Sequence, residues 1–157
     1  MSDLVISDEP ITSSGALSVF HAAIDELNRR YGGSDEALHL QLDELMAPRG
    51  IFLVARLDAH PIGGVGVRSI GEPASHLGEI KRLWVRPDQR QHGVGTKLMD
   101  GIEERARKNN FLKLYLETGY AQPEAMALYE STGWARVEEF PEGSWSHPGS
   151  YRFAKVL

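Results

Sequence analysis

A glycine-containing loop, Arg90-Gln91-His92-Gly93-Val94-Gly95-Thr96, lies between a predicted strand and a predicted helix and has the chemistry of an anion site. The first amides of a helix have no partner within the helix, and they carry the positive end of its dipole. Glycine permits the tight turn and the close approach that let such amides converge on one anion. The loop therefore indicates a bound pyrophosphate, or else two glycines that only shape a sharp strand-to-helix connection.

The occupant of this loop can be narrowed by the motifs that the loop does not satisfy. A P-loop needs Lys followed by Ser or Thr directly after its second glycine, whereas Gly95 is followed by Thr96-Lys97. A dinucleotide-binding loop needs a third glycine at the position of Leu98. Neither a nucleoside triphosphate nor a dinucleotide is therefore expected.

The composition is that of an ordinary globular protein and limits the available chemistry. The 157 residues are 41% hydrophobic and 25% charged, which suits one domain, 1–157, with one core. The absence of cysteine removes disulfides, cysteine-ligated zinc and a cysteine nucleophile. A net charge of -5 without clustered Lys and Arg argues against a nucleic-acid partner. Since we find neither a membrane-length apolar run nor a signal peptide, we expect a cytoplasmic protein without a membrane partner.

The elements that must position the loop follow from hydrophobic periodicity and from capping residues. In the first half we predict a strand at Leu4–Ser7, a helix from Ser13 or Ser14 to Gly32-Gly33, a helix from Ser34 to just before Pro48, and strands at Ile51–Leu57 and Ile62–Ile70. In the second half we predict a strand at Glu79–Val85, a helix from about His92 to Asn109, a strand at Lys113–Thr118, a short helix at Pro123–Ser131, and strands at Ala135–Val137 and Ser150–Val156. This order is typical of an α/β protein with one mixed sheet and helices on its faces.

Two segments resemble the GNAT superfamily of N-acetyltransferases. The pattern Val85-x-Pro87-x-x-Arg90-x-x-Gly93-x-Gly95, which follows Glu79 to Trp84, is similar to the acyl-CoA signature of that family. Further along, Gln122 to Glu130 with Gly133-Trp134 resembles its second motif. The resemblance implies a GNAT-like, mixed and mostly antiparallel central sheet with about four helices on its faces.

The resemblance also implies where acetyl-CoA binds. The backbone amides of the loop would hold the CoA pyrophosphate; the loop residues concerned are Arg90, Gln91, His92, Gly93, Val94, Gly95 and Thr96. The pantetheine arm would pair, almost like an added strand, with the backbone of Leu83, Trp84 and Val85. Many relatives have glycine at the position of Gln91, and several have asparagine at that of Gln122, whose side-chain amide would contact the cofactor.

Two residues acquire catalytic roles by the same resemblance. Tyr129 matches a tyrosine that lies near the thioester sulfur in many relatives, where a phenol with a pKa of ~10 can protonate a thiolate. The alternative for Tyr129 is a core aromatic, because it shares a helical face with Ala125 and Leu128. Glu79 aligns with a carboxylate that acts as the base in some relatives. Its alternative is a surface ion pair with the nearby Lys81 and Arg82.

The predicted function is transfer of the acetyl group of acetyl-CoA to a primary amine of a small molecule, such as an amino acid or a polyamine-like compound. Transfer would be direct, in a ternary complex, because no cysteine can carry the acyl group. Candidate acceptor contacts are Tyr31, Trp145 and His147. A non-catalytic acyl-CoA sensor and a protein lysine or N-terminal acetyltransferase are the alternatives. We expect no metal, and a homodimer formed through the late strands is a further prediction.

Overall fold

The computed structural model describes residues 3–32, 40–144 and 146–157 and contains one seven-stranded sheet. The strands are β1 (Leu4–Asp8), β2 (Gly50–Leu57), β3 (His60–Ile70), β4 (Leu77–Val85), β5 (Lys113–Thr118), β6 (Ala135–Val137) and β7 (Tyr151–Val156). Their order across the sheet is β1-β2-β3-β4-β5-β7-β6, and β4 and β5 form a parallel pair. The other neighbouring strands pair antiparallel, which confirms the predicted mixed, mostly antiparallel sheet.

The described residues contain three α-helices rather than the predicted four: α1 (Ser14–Tyr31), α2 (Val94–Lys108) and α3 (Pro123–Ser131). The prediction of a second helix from Ser34 falls partly outside the described residues, which omit 33–39. Its remaining part is only a short 3-10 helix at Leu42–Leu45. Proline at 48 disfavours helical geometry in the residue before it, so helix cannot continue through this segment. The fold class is nevertheless the predicted one.

Helix α1 begins and ends where its capping residues require. The Ser13 hydroxyl accepts a hydrogen bond from the Ala16 amide at 3.1 Å, which satisfies one of the amides of the first turn. At the other end Gly32 adopts a left-handed conformation with a φ of 70°, and its amide bonds the Asn28 carbonyl. These are the boundaries that the serines and glycines predicted.

The two long helices cover opposite faces of the sheet. Helix α2 buries Leu98, Met99 and Ile102 completely against the strands. Helix α1 buries Val19 and Phe20 in a separate cluster on the other face. Full burial of side chains of this size stabilises the fold by about 1.5–3 kcal/mol each. Both faces of the central strands are therefore packed, and little movement of β3 or β4 is possible.

The parallel pair β4–β5 is short, and this opens the sheet. Pairing covers only Leu77–Glu79 against Lys113–Tyr115, so the two strands separate beyond Glu79. A β-bulge adds to the separation, because Lys81 pairs with Gly66 while Trp84 pairs with Gly64. Within this bulge Arg82 has a φ of 60°, a left-handed conformation that is rare for residues with a side chain. The separated strands form the walls of a cleft.

The late strands differ in whether they have an unpaired edge that a second copy of the chain could pair with. β7 lies between β5 and β6, so both of its edges are paired. β6 is the edge strand of the sheet on that side and is only three residues long. Self-association through the late strands stays a prediction, and β6 rather than β7 is the strand that could provide it.

Candidate active site

A cleft of about 1250 Å³, its open mouth included, lies where β4 and β5 separate. Its lining comes from five parts of the chain: residues 23–31 of α1, residues 80–84 of β4, residues 116–120 at the end of β5, Gln122 and Tyr129 at α3, and residues 147–150 before β7. Several of these residues are polar or aromatic, as expected of a small-molecule site. Some of the predicted site residues are among its lining: Leu83, Trp84, Gln122 and Tyr129.

Tyr129 lines the cleft and is also a core residue. Its side chain is 6% exposed, and its ring packs against Trp134 and Phe153 with centroid separations of 6.2 and 5.7 Å. Burial raises the pKa of the Tyr129 phenol well above its ordinary value. The hydroxyl therefore keeps its proton throughout the neutral range, as a general acid must. The catalytic and the core interpretations of Tyr129 are compatible.

Glu79 is not among the described residues that line the cleft, which separates it from the position expected of a base. It is 1% exposed, and its Oε1 accepts from Nε and Nη2 of Arg68 at 3.0 and 2.9 Å. Lys81 Nζ lies 3.5 Å from Oε2. Burial raises the pKa of the Glu79 carboxyl, and the charges of Lys81 and Arg68 oppose this. The expected surface ion pair is thus a buried one, with Arg68 in place of Arg82.

The glycine loop presents its backbone at the start of α2. Gly93 is the N-cap residue with a φ of 83°, and no side chain caps the helix, so the amides of its first turn have no side-chain partner at the N-cap. Gln91 also has a positive φ, 66°, a conformation that favours glycine. The loop is exposed at Gln91, His92 and Gly93. Val94 is buried and anchors the helix, and the next two residues, Gly95 and Thr96, are partly buried.

The Arg90 guanidinium is held by two protein partners. Its Nε donates to the Val85 carbonyl at 2.7 Å, and its Nη2 donates to Glu26 Oε1 of helix α1 at 2.6 Å. Val85 is buried, while Leu83 and Trp84 line the cleft at the β-bulge. Of the three residues predicted to pair with pantetheine, these two therefore reach the cleft. The carbonyl of the third already accepts a hydrogen bond.

A hydrogen-bonded group closes the cleft near the start of α3. Gln122 Oε1 accepts from the Tyr31 hydroxyl at 3.2 Å and from Thr118 Oγ1 at 3.4 Å. The Tyr31 hydroxyl in turn accepts from the Ala121 amide at 3.2 Å. A Cβ atom at Gly119 would lie 2.1 Å from the Tyr31 oxygen, so a larger residue there would displace the Tyr31 ring. Gln122, predicted to contact the cofactor, and Tyr31, predicted to contact the acceptor, both line the cleft. The Gln122 oxygen is held by the protein.

Helix α1 joins the loops that precede the other two helices. Glu26 binds Arg90 of the glycine loop and also lies 3.4 Å from Arg30. Arg30 donates to the Ala121 carbonyl at 2.8 Å and pairs with Glu124 in the first turn of α3. We call these contacts of Glu26 and Arg30 the α1 brace.

Glu117 and Ser150 are cleft residues that the sequence analysis missed. Glu117 accepts hydrogen bonds from the His147 amide at 3.0 Å and from the Ser150 hydroxyl at 2.8 Å, and its Oε1 lies 3.2 Å from His147 Nδ1. His147, predicted to contact an acceptor, lines the cleft, while Trp145 lies outside the described residues. The one available signal for Glu117 was its position near the end of a predicted strand, two residues before Gly119.

The described ranges contain neither a membrane-spanning helix nor a cluster of metal ligands. None of the helices there has the length and apolarity needed to cross a membrane. In the same ranges no three or more His, Asp or Glu side chains lie together in a way that could hold a metal ion.

Comparisons with known proteins agree with this architecture. The chain is 37% identical to the IAA acetyltransferase of Azospirillum brasilense over 71% of its own length and 74% of that protein's. It spans about half the length of some longer relatives. A Klebsiella pneumoniae protein, itself a proposed acyl-CoA N-acyltransferase, superposes with a TM-score of 0.80 at 26% identity, covering 98% and 97% of the two chains.

A GNAT family acetyltransferase from Elizabethkingia anophelis, solved with acetyl-CoA bound, shares the fold with a TM-score of 0.72 at 17% identity, covering 98% of each chain. The acetyltransferase (GNAT) family itself matches residues 19–134, a range that contains the glycine loop, Glu79 and Tyr129. This chain belongs to the acetyltransferase (GNAT) family and is an acyltransferase.

Proposed function

We propose that this protein transfers the acetyl group of acetyl-CoA to a primary amine of a small molecule by direct attack in a ternary complex. The observation that carries the proposal is the cleft between β4 and β5, which is lined both by Tyr129, whose buried phenol keeps its proton, and by the residues of the β4 bulge. An acyl donor, an acid and an acceptor can meet in that space.

The donor site is supported by the chain's own geometry. The first turn of α2, capped only by the backbone of Gly93, suits the CoA pyrophosphate. The separated strands leave main-chain groups of Leu83 and Trp84 at the cleft, where a pantetheine arm can pair as an added strand. The acetyl-CoA bound to the Elizabethkingia anophelis protein, which has the same fold, is consistent with this donor.

The chemistry assigned to the cleft is an addition followed by an elimination. The free amine attacks the thioester carbonyl carbon, a carbon–nitrogen bond forms, and the carbon–sulfur bond then breaks. The departing thiolate takes the proton of the Tyr129 hydroxyl. Since the chain has no cysteine, an acyl-cysteine intermediate is excluded and direct transfer is the simpler route.

The size and enclosure of the cleft favour a small acceptor. Without its open mouth the cleft measures about 300 Å³, which is the lower end of the range for small-molecule sites, and α1 and residues 147–150 contribute to its walls. The Azospirillum brasilense relative is an IAA acetyltransferase by name, which also suggests a small-molecule acceptor.

The test is thiol release from acetyl-CoA, measured over a panel of amino acids, polyamines, aromatic amines and lysine-containing peptides. We expect release with one class of small amine and formation of the N-acetyl product by mass spectrometry. Release with peptides alone would instead support a protein acetyltransferase. Tight CoA binding without release for any acceptor would support a sensor and refute the proposal.

A further inference from the structure

Residue His147 and the carboxylate of Glu117 form a histidine–carboxylate pair on the wall of the cleft. Nδ1 of His147 lies 3.2 Å from Glu117 Oε1, and the His147 amide donates to Oε2 at 3.0 Å. The Glu117 side chain is 6% exposed, while the imidazole is 32% exposed and lines the cleft. The carboxylate is therefore fixed behind the ring, and the ring faces the space where an acceptor would bind.

We infer that His147 is the base that removes a proton from the ammonium form of the acceptor, with Glu117 as the residue that positions it. The inference rests on the proposed function, since it assigns the proton transfer that precedes attack on the thioester. An amine is mostly protonated at neutral pH, and only its unprotonated form has the lone pair that attacks. A base within reach of the bound ammonium is needed for that reason.

The contact with Glu117 determines which nitrogen of His147 carries the lone pair. Carboxylate oxygens are hydrogen-bond acceptors, so the hydrogen of this contact is assigned to Nδ1. In a neutral imidazole with a protonated Nδ1, the basic nitrogen is Nε2. Glu117 is itself held by the Ser150 hydroxyl at 2.8 Å and the His147 amide, so the ring orientation is set from both sides of the loop.

The other carboxylates near the cleft are less suited to the role. Glu79 is 1% exposed and bound to Arg68, and it is not among the described lining residues. Glu117 is 6% exposed and already accepts hydrogen bonds from the His147 amide and the Ser150 hydroxyl. Glu26, which also lines the cleft, is paired with Arg90. Of these groups, the imidazole is the most exposed to the cleft. It also belongs to the residue type whose charge changes near neutral pH.

The proton inventory balances without any other reactant. His147 Nε2 takes one proton from the ammonium and passes it to solvent, which reaches the ring. The amine then attacks, and the addition product carries a second proton on nitrogen. As the carbon–sulfur bond breaks, Tyr129 donates its proton to sulfur, and the proton lost from nitrogen restores the phenol. Acid and base are thus supplied by different elements, α3 and the segment before β7, that share the cleft.

Several charged or titratable groups surround His147 and contribute to its environment. Arg152 of β7 donates to the His147 carbonyl at 3.1 Å from behind the loop. Across the cleft, the lining includes these groups from the other elements: Glu26 and Tyr31 of α1, Lys81 and Arg82 of β4, Tyr120 after β5, and Tyr129 of α3. A pH profile of one variant alone would mix their titrations, so the test compares variants.

The decisive variant is His147→Asn, since the Asn side-chain amide can replace Nδ1 as the donor to Glu117 but has no equivalent of Nε2. With the acceptor found in the amine panel, we expect kcat/KM at pH 7 to fall about 100-fold. The deficit should shrink as the pH is raised and the free amine becomes abundant. Added imidazole should restore part of the lost rate, while the Kd of acetyl-CoA stays unchanged.

The matched control is His60→Gln, at an exposed histidine that begins β3, which should keep the wild-type rate and pH profile. The variant Glu117→Gln should lower kcat/KM, because the His147 ring loses the contact that orients it. A His147→Asn protein with unchanged thermal stability and a wild-type rate would overturn the inference. So would a loss that neither varies with pH nor responds to imidazole. If the wild-type protein transfers to no amine, the proposed function itself fails. If the wild-type protein transfers but His147→Asn has no effect, only the role of His147 as the base fails.

Discussion

Arg68 and Glu79 form a two-point ion pair inside the sheet, with Nε and Nη2 of Arg68 at 3.0 and 2.9 Å from the same carboxylate oxygen. Both side chains are at least nine-tenths buried, and Arg68 also binds Glu44 at 2.9 Å. The pair joins β3 to β4 just where β4 leaves β5. Its position suggests that Glu79 stabilises the separated strands.

Replacing Glu79 with Gln should therefore affect stability more than catalysis. Loss of one partner of a buried pair leaves the Arg68 charge poorly compensated, so we expect the free energy of unfolding to fall by roughly 3 kcal/mol. Urea titration measures this, and kcat of the folded fraction should change by less than about threefold. The more exposed partner Glu44, changed to Gln, is the control and should cost less. A stable Glu79→Gln protein with a large loss of kcat would restore Glu79 to the role of base.

Replacing Tyr129 with Phe should remove the acid and leave the ring packing intact. We expect kcat to fall about 100-fold while the Kd of acetyl-CoA and the thermal stability stay close to wild type. Tyr115→Phe, at another buried tyrosine of the sheet, is the control and should leave kcat unchanged.

The pH dependence of kcat in the wild-type protein should also reflect the protonated state of Tyr129. Because burial raises the pKa of Tyr129 above the ordinary value of 10.0, its acid form persists as the pH rises to that value. The wild-type kcat should therefore show no decline from loss of this proton below pH 10.0. An alkaline decline centred well below that value, absent from Tyr129→Phe, would contradict the assignment.

Replacing Gln91 with Gly should stabilise the protein without harming the donor site. Gln91 has a φ of 66°, a conformation that costs a residue with a side chain about 1–2 kcal/mol. The greater freedom of glycine in the unfolded chain offsets part of this gain, so we expect a net increase in the free energy of unfolding of about 0.5 kcal/mol. The Kd of CoA should not rise, because the residue offers its backbone. Gln89→Gly, outside the positive-φ positions, should destabilise instead.

The pair Glu9–Arg56 should give stability a defined pH dependence. Hydrogen bonds from Arg56 lower the pKa of Glu9 below its ordinary value of 4.5. A lowered folded-state pKa contributes stability above pH 4.5 that is lost as the pH falls through the folded value. Glu9→Gln should therefore lose up to about 1 kcal/mol at pH 7, since solvent screens the pair, and the difference should vanish in acid. Chemical unfolding of both proteins across that range, with Arg56→Gln as the partner variant, measures it.

The elements that local signals define were predictable from the sequence. Ser13 and Gly32 bound α1, and Pro123 and Gly133 enclose α3, because caps and helix breakers act over a few residues. The glycine loop was predicted to open α2 for the same reason, and Gly93 caps that helix. Burial of Tyr129 followed from its helical face.

The contacts that depend on strand register were not predictable. Glu79 meets Arg68 because β3 and β4 pair these two residues directly, and nothing in the spacing of Glu79, Lys81 and Arg82 indicates that partner. Glu117 meets His147 only because β5 pairs with β7, which brings residues thirty apart together. Glycines inside a predicted strand, here Gly63, Gly64 and Gly66, indicate a bulge, and the register shifts between Gly64 and Gly66. The spacing does not indicate that the extra residue lies on β4 at Arg82. Most of the fold could be predicted, whereas the polar contacts of the site required the sheet topology.

The α1 brace implies that the donor and acceptor halves of the cleft are mechanically coupled. One turn of helix, through Glu26 and Arg30, holds both the loop proposed for the pyrophosphate and the turn before α3. A substitution on α1 that touches neither substrate should thus change both Michaelis constants together. Helix α1 is thus a common support for the glycine loop and for the turn before α3, so a change in α1 that alters acceptor choice is expected to disturb donor binding as well.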